Sequence, residues 1–137
     1  MSLSINIMFS GNCREAVIFY AKVFEQETPH FITYGESNTY FDPNVQVSEE
    51  GSKHIMSASL NIADSIVNFN DMPDNFEFVH GNNFGITIFY DSVDEAKVIF
   101  DRLSEKGQVF VPFTEIPEQG KYGMLADQFD IMWTVKA

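Results

Sequence analysis

Ile5-Asn-Ile-Met-Phe9 and Asn12-Cys-Arg-Glu-Ala-Val-Ile-Phe-Tyr20 decide the fold, because related segments return 80 positions later in the chain. Their counterparts are Gly85-Ile-Thr-Ile-Phe89 and Ser92-Val-Asp-Glu-Ala-Lys-Val-Ile-Phe100. Alternating apolar residues in the shorter segments predict strands, and an apolar stripe behind a capping residue predicts a helix in each longer one. The chain is therefore predicted to contain two similar half-modules, an arrangement that commonly encloses a ligand-binding cleft.

The residues around these segments predict three further strands in each module. In the first module the strands fall near 30–34, 54–62 and 66–70, with a polar loop at 35–53. In the second they fall near 108–113, 121–126 and 130–135. The order βαβββ thus occurs twice, which favours an α+β fold. We expect one domain over 1–137, with module one at about 1–72, a linker at about 73–83 and module two at about 84–137.

Polar residues mark the predicted helix ends. Asn12, with Glu15 three residues later, is typical of a capping box, and Ser92 with Glu95 repeats the pattern. Gly107 is predicted to end the second helix as its C-cap.

Composition excludes several classes of partner. The net charge of −12 disfavours binding to nucleic acid and to anionic membranes. No apolar run is long enough to span a bilayer, and the N-terminus lacks the features of a secretory signal.

A single cysteine, Cys13, cannot form an internal disulfide, so a cytoplasmic location is expected. The 14 Phe residues suit a core, a cavity or a subunit interface.

Several motifs, in this order and at this spacing, carry a resemblance to a known family. They are Ser2-Leu-Ser4 with Gly11-Asn-Cys-x-Glu-Ala-x-x-Phe-Tyr20, then Asn70-Asp-Met-Pro73, Asp94-Glu-Ala96, Gly107 and Tyr122-Gly-x-x-x-Asp-x-Phe-x-x-x-Trp133. The chain resembles the glyoxalase/bleomycin-resistance/dioxygenase superfamily, also called vicinal oxygen chelate, and within it the PhnB-like subfamily. The resemblance implies two βαβββ modules that form a cup-shaped, eight-stranded mixed sheet. It also implies a homodimer, with a small-molecule ligand held in the cup.

The resemblance further implies where a divalent metal would be held. The ligand positions of metal-dependent members fall on Ile5, Gly85 and Met132, with Val67 or Asn68 as the fourth. Ile, Gly and Met offer no hard donor, and an Asn carbonyl is a weak one. We therefore expect the metal site to be absent and no cofactor to be bound.

The same cup is predicted to bind the ligand through a mostly apolar surface. Its candidate residues are Ile5, Ile7, Phe9, Thr87, Phe89, Tyr122 and Met132. An apolar pocket for a ring or acyl group and a cup filled by its own side chains are both open at this point. Trp133 differs in parity from Met132, so it is predicted to point toward the helix.

Other reactive side chains receive structural interpretations. His30, His54 and His80 match no ligand spacing and are interpreted as solvated or edge residues. Cys13 is interpreted as a small buried residue rather than a reactive thiol, and Asp127 as part of an Asx-turn rather than a general base.

Three functions follow from these observations. The leading hypothesis is a PhnB-like, metal-free, small-molecule-binding protein. One alternative is a metal-dependent lyase, isomerase or dioxygenase that uses His30, His54 or Glu115. The other is a non-enzymatic module that docks a protein through a sheet edge or the loop at 35–53. PhnB-like proteins are often named demethylubiquinone methyltransferases, but the turn at 10–12 carries one Gly rather than the Gly-rich turn of a Rossmann-type methyltransferase.

Overall fold

Two units of similar architecture make up the chain, which a computed structural model describes over residues 1–137. Unit one is Met1–Val79 and unit two is His80–Ala137. Each unit contains one four-stranded sheet with a parallel and an antiparallel part. The predicted α+β class and the βαβββ order are therefore confirmed in both units.

Unit one has its strands in the spatial order β1-β4-β3-β2. Its elements are β1 (Ile5–Phe9), α1 (Cys13–Val23), β2 (Ile32–Thr33), α2 (Tyr34–Ser37), a 3-10 turn (Gly51–Lys53), β3 (Ile55–Ile62) and β4 (Ser65–Asp71). β1 and β4 run parallel, whereas β3 is antiparallel to both of its neighbours. Tyr20 of α1 stacks on Phe69 of β4 at 5.7 Å between ring centroids, so α1 covers one face of this sheet.

The start of α1 is held by a residue distant in sequence. The predicted N-cap, Asn12, makes no capping hydrogen bond through its side chain. Instead the carboxylate of Asp71 accepts the backbone N–H groups of Gly11 and Cys13, each at 2.9 Å, and that of Ile55 at 2.8 Å. Asp71 can reach them because it pairs with Phe9 at the end of the parallel β1–β4 ladder. The capping box predicted at Asn12 was wrong because this buried carboxylate supplies the acceptor.

The predicted polar loop at 35–53 is more structured than its sequence indicates. A capping box, in which Thr33 and Glu36 bond each other's backbone N–H, starts the short helix α2. Further along, the hydroxyl of Tyr40 donates to Asp74 at 2.6 Å, and Ser48 also donates to this carboxylate. These bonds, first from Ser48 and then from Tyr40, favour the ionised form and lower the pKa of Asp74. The loop is therefore pinned to the segment that follows β4.

Unit two repeats the architecture with the spatial order β5-β8-β7-β6. Its elements are β5 (Gly85–Phe89), α3 (Val93–Leu103), β6 (Gln108–Ile116), β7 (Gly120–Ala126) and β8 (Met132–Lys136). As predicted, the hydroxyl of Ser92 accepts the N–H of Glu95, at 3.2 Å. The predicted C-cap was wrong, since α3 already ends at Leu103. Gly107 instead precedes β6, where a Cβ would collide with the carbonyl oxygen of Ala126.

Helix α3 covers one face of the unit-two sheet at close range. A Cβ on Gly123 of β7 would lie 2.5 Å from Cε2 of Phe100, so only glycine allows α3 to approach this closely. The face toward α3 also carries five buried side chains: Ile86, Ile88, Leu125, Trp133 and Val135. Trp133 therefore points toward the helix, as predicted. Neither α1 nor α3, at 11 residues each, could cross a bilayer.

A second buried carboxylate organises the β7–β8 connection. Asp127, 2% exposed, accepts the backbone N–H groups of Phe129 at 2.8 Å and Ile131 at 3.1 Å. Its other oxygen accepts the indole N–H of Trp133 at 2.8 Å. The Asx-turn interpretation is confirmed, and these three hydrogen bonds give Asp127 a structural role.

Candidate functional site

Strand residues related by the 80-residue repeat lie on opposite faces of their sheets. In β1, Phe9 is 3% exposed and stacks on Phe69 at 6.5 Å, on the face that α1 covers. At the repeat-related position in β5, Phe89 is 73% exposed and lies on the face away from α3. The repeat therefore matches the bounds of the elements but not the direction of the strand side chains.

The two strand-to-helix connections explain this reversal. Both have three residues, at 10–12 and at 90–92, yet only the first contains a residue with positive φ. Gly11 has φ +88°, a left-handed conformation that glycine adopts without steric cost. Because the connections have equal length, this difference in backbone conformation is what presents opposite strand faces to α1 and α3.

The seven predicted ligand residues fall into two groups. Three are on the face that α1 covers: Ile5, Ile7 and Phe9. Four share the face of the unit-two sheet away from α3: Thr87, Phe89, Tyr122 and Met132. Phe9 was predicted to face a ligand, but its ring is buried against Phe69 on the face that α1 covers. Ligand binding by the second group stays a prediction.

We name the face of the unit-two sheet away from α3 the aromatic face. Cross-strand pairing arranges it as three rows over β5, β8 and β7. The rows are Phe89–Lys136–Tyr122, Thr87–Thr134–Met124 and Gly85–Met132–Ala126. Lys136, Thr134 and Met124 were not among the predicted site residues. The sequence signal that identifies them is their spacing: Thr134 and Lys136 lie two and four residues after Met132, and Met124 lies two residues after Tyr122. Residues at this spacing on a strand share a face.

The first row of the aromatic face combines two rings with one cation. The ammonium nitrogen of Lys136 lies 5.7 Å from the ring centroid of Phe89 and 5.8 Å from that of Tyr122. Both distances fall within the range of cation–π attraction. Lys53–Glu50 and Lys97–Asp101 are ion pairs elsewhere in the chain, whereas Lys136 forms no ion pair with an acidic residue.

The corresponding face of unit one carries four polar side chains, and we name it the amide face. Its polar residues are Asn6, Asn68, Asn70 and Ser59, and the exposed Met8 and Ile66 lie on the same face. The amide of Asn6 donates to Asn70 at 3.0 Å, and the hydroxyl of Ser59 donates to Asn68 at 2.7 Å. Since this face lies away from α1, Asn6 and not Ile5 corresponds to Gly85, and Asn68 corresponds to Met132. Asn6 was missed because the 80-residue offset assigned its neighbour to the position.

The four positions that correspond on these two faces do not offer the metal ligands of metal-dependent superfamily members. Asn6, Asn68, Gly85 and Met132 offer two neutral amides and one thioether, whereas catalytic sites of this kind use about three imidazole, carboxylate or thiolate ligands. No group of three or more His, Cys, Asp or Glu residues is placed to hold an ion. The imidazoles of His30, His54 and His80 and the carboxylate of Glu115 do not gather into such a set.

A cleft of about 480 Å³ opens at the start of α1, where the sequence predicted none. It is lined by Gly11, Asn12, Arg14, Glu15, Ile18, Lys53, Ile55 and Asp71. Cys13 next to it is fully buried, and burial, followed by the charge of Asp71, raises the pKa of its thiol. Because a raised pKa suppresses the thiolate, the structure agrees with the interpretation of Cys13 as a small packing residue.

Known proteins of similar sequence and fold agree with this architecture. Protein YjdN of Escherichia coli (strain K12) is 27% identical over 142 residues, which cover 98% of this chain and 94% of that protein. Protein PA1353 from Pseudomonas aeruginosa superposes with a TM-score of 0.83 at 24% identity, covering 99% of this chain and 96% of that one. A putative 3-demethylubiquinone-9 3-methyltransferase, PhnB protein, from Bacillus cereus gives 0.73 at 20% identity, covering 99% and 98%.

The fold implied by the resemblance is confirmed as well. A glyoxalase/bleomycin resistance protein/dioxygenase family enzyme from Burkholderia phytofirmans PsJN gives a TM-score of 0.58 at 15% identity, covering 96% of this chain and 93% of that one. At such identities these structures establish the fold. The family model described as 3-demethylubiquinone-9 3-methyltransferase matches residues 1–136, and the chain therefore belongs to this family, with the fold of the glyoxalase/bleomycin resistance protein/dioxygenase structure.

Proposed function

We propose that this protein binds a small organic molecule on the aromatic face of unit two and that it does so without a metal ion. The observation that carries the proposal is the 73% exposure of Phe89 on a sheet face that also presents Tyr122 and Met132. Exposed apolar surface with a few polar groups is typical of a binding site. The lack of metal-ligating side chains at the superfamily's ligand positions supports binding without an ion.

The dimensions of the aromatic face suit a ligand of one or two rings. Neighbouring strands lie about 4.8 Å apart, and side chains two residues apart on one strand are separated by about 6.7 Å. Three rows over three strands therefore span about 10 Å by about 13 Å between Cα positions. The hydroxyls of Thr87 and Thr134 occupy the middle row and can hydrogen-bond a polar substituent.

Methyl transfer, which the family's description names, is not part of the proposal. Rossmann-type methyltransferases hold their donor at a Gly-rich turn between a strand and a helix. The connection at 10–12 contains the single glycine Gly11, and the one at 90–92 contains none. Each sheet also has only one parallel pair of strands, unlike a doubly wound sheet.

Fluorescence of the neutral apolar dye N-phenyl-1-naphthylamine tests the proposal. We expect its emission to rise on addition of the wild-type protein and expect Phe89→Ala to weaken binding roughly 3- to 10-fold, because that ring supplies stacking area. Phe76→Ala is the matched control, since Phe76 is a similarly exposed ring, at 56%, in unit one. An unchanged emission with wild-type protein, or equal weakening by both variants, would count against the proposal.

We further propose that the protein is a cytoplasmic homodimer. The exposed edge strand β6 supports a dimer, because Val109 and Phe110 are 43% and 48% exposed there. An apolar sheet edge of this kind is usually covered by a partner. Light scattering coupled to gel filtration tests the dimer, and a mass near 15.6 kDa would rule it out. The unpaired thiol of Cys13 supports the cytoplasmic location.

A further inference from the structure

We propose that the molecule bound on the aromatic face is an apolar organic anion whose carboxylate, or an equivalent oxyanion, pairs with Lys136. This inference rests on the proposed function and specifies its ligand class. It follows from the surroundings of one cation on a surface that otherwise presents rings, a thioether and hydroxyls.

Lys136 is positioned by its neighbours before any ligand binds. It pairs in register with Phe89 on β5 and with Tyr122 on β7, and its nitrogen lies 5.7 Å and 5.8 Å from their ring centroids. The main chain on both sides of it is also fixed: the carbonyl of Lys136 accepts the N–H of Tyr90 at 2.8 Å, and Ala137 exchanges two hydrogen bonds of 2.9 Å with Lys121. The ammonium group therefore stands over two rings on an ordered strand.

The rings leave the hydrogen-bonding capacity of this ammonium group unused. Lys carries three N–H donors, whereas ring faces offer π-electron density but no lone pair. No carboxylate of the chain lies within ion-pair distance of Lys136, although acidic residues outnumber basic ones by 20 to 8. Lys136 is therefore a cation without an acidic partner on an apolar surface, in a protein rich in acidic residues. Such a group favours a ligand that carries an oxyanion.

The rest of the aromatic face favours an apolar body on this anion. None of its nine positions is acidic, so no side chain there repels a carboxylate. The rings of Phe89 and Tyr122 flank the cation, and Met124 and Met132 supply adaptable apolar surface in the adjoining rows. A ring or acyl group can pack on these side chains while its carboxylate meets Lys136. A neutral analogue of the same shape keeps the packing and loses the charge pair.

Competition for the bound dye by two probes of equal shape tests the charge preference. The probes are 3-phenylpropanoate and its neutral amide, 3-phenylpropanamide, each titrated in the millimolar range against N-phenyl-1-naphthylamine on the full chain. With wild-type protein, we expect the carboxylate to displace the dye at a concentration about tenfold lower than the amide. Lys136→Gln should abolish this preference while leaving displacement by the amide within about twofold.

Two further variants control for loss of charge and for misfolding. Lys121→Gln removes the same charge from the neighbouring strand β7. Because Lys121 is adjacent to Tyr122, its side chain points to the other face of the sheet, and this variant should keep the tenfold preference. Lys136→Arg keeps the charge and should keep most of the preference.

The possible results separate the inference from the proposed function. Equal displacement by both probes with wild-type protein, or a preference that survives in Lys136→Gln, would overturn the inference and leave the apolar binding site standing. A dye that does not bind wild-type protein at all would overturn both. A preference lost equally in Lys136→Gln and Lys121→Gln would assign it to net charge rather than to this residue.

Discussion

Asp71→Asn tests whether a buried carboxylate, rather than a local cap, holds the first unit together. The side chain is 1% exposed, and its two oxygens accept three backbone N–H groups at 2.8–2.9 Å. These donors belong to the β1–α1 connection, to the first residue of α1 and to the first residue of β3. The substitution keeps the size of the side chain, and therefore changes only its charge and one acceptor.

The expected loss of stability follows from these contacts. With the remaining carbonyl oxygen on Gly11 and Cys13, the new amide group would point its own N–H donors at the N–H of Ile55. A buried donor without a partner costs about 1–3 kcal/mol, and the two retained bonds lose their charge assistance. We expect the free energy of unfolding to fall by about 2–4 kcal/mol, which is roughly 6–12 °C in Tm at about 3 °C per kcal/mol.

Urea denaturation followed by far-UV circular dichroism measures this loss. Asp64→Asn is the matched control, because Asp64 is an exposed residue in the β3–β4 turn with φ +59°, a conformation that asparagine also tolerates. The control should stay within about 0.5 kcal/mol of wild type. If Asp71→Asn were as mild as the control, the three hydrogen bonds would not hold this end of the sheet.

Three further outcomes are expected. Asp127→Asn should shift the fluorescence emission of Trp133, the only tryptophan, because the indole N–H loses its charged acceptor. The same loss should lower the free energy of unfolding by about 1.5–3 kcal/mol. An unchanged emission spectrum would contradict this expectation. Gly123→Ala should lower the free energy of unfolding by about 1–3 kcal/mol in a urea titration, because its Cβ would lie 2.5 Å from the ring of Phe100. Adding Phe100→Leu to this variant should recover part of the loss. If the effects of the two substitutions simply add, the clash is not the cause. Burial raises the pKa of the Cys13 thiol above its ordinary 9.0, so the protonated thiol stabilises the fold below that pH and this contribution declines as pH rises past it. In urea titrations from about pH 7 to about pH 10, the free energy of unfolding should therefore decline less in Cys13→Ala than in wild type. Equal declines in the two proteins would refute the assignment.

The element order could be predicted because each element has a strong local signal. Alternation at Ile5, Ile7 and Phe9 marks β1, and the stripe through Ala16 and Tyr20 marks α1. The cap of α1 could not be predicted in this way, because Asp71 is distant in sequence and reaches the helix only once β4 has paired with β1.

The faces of the strands were predicted less well than their positions. The 80-residue offset aligns Ile7 with Thr87, although the β-branched apolar residues of β5 are Ile86 and Ile88. That shift of one position in the apolar alternation was visible in the sequence. The conformation of Gly11, which turns the β1 side chains toward α1, depends on the folded connection and has no sequence signal beyond the glycine itself.

A map of backbone amide shifts in the two-dimensional nitrogen–proton spectrum, recorded with and without N-phenyl-1-naphthylamine, tests the central claim most directly. If the aromatic face binds the ligand, the largest shifts should fall on alternate residues of three strands. These residues are Thr87, Phe89, Tyr122, Met124, Met132, Thr134 and Lys136. Shifts that instead cluster around the cleft at Gly11, Arg14 and Lys53, or spectra that do not change, would contradict the account.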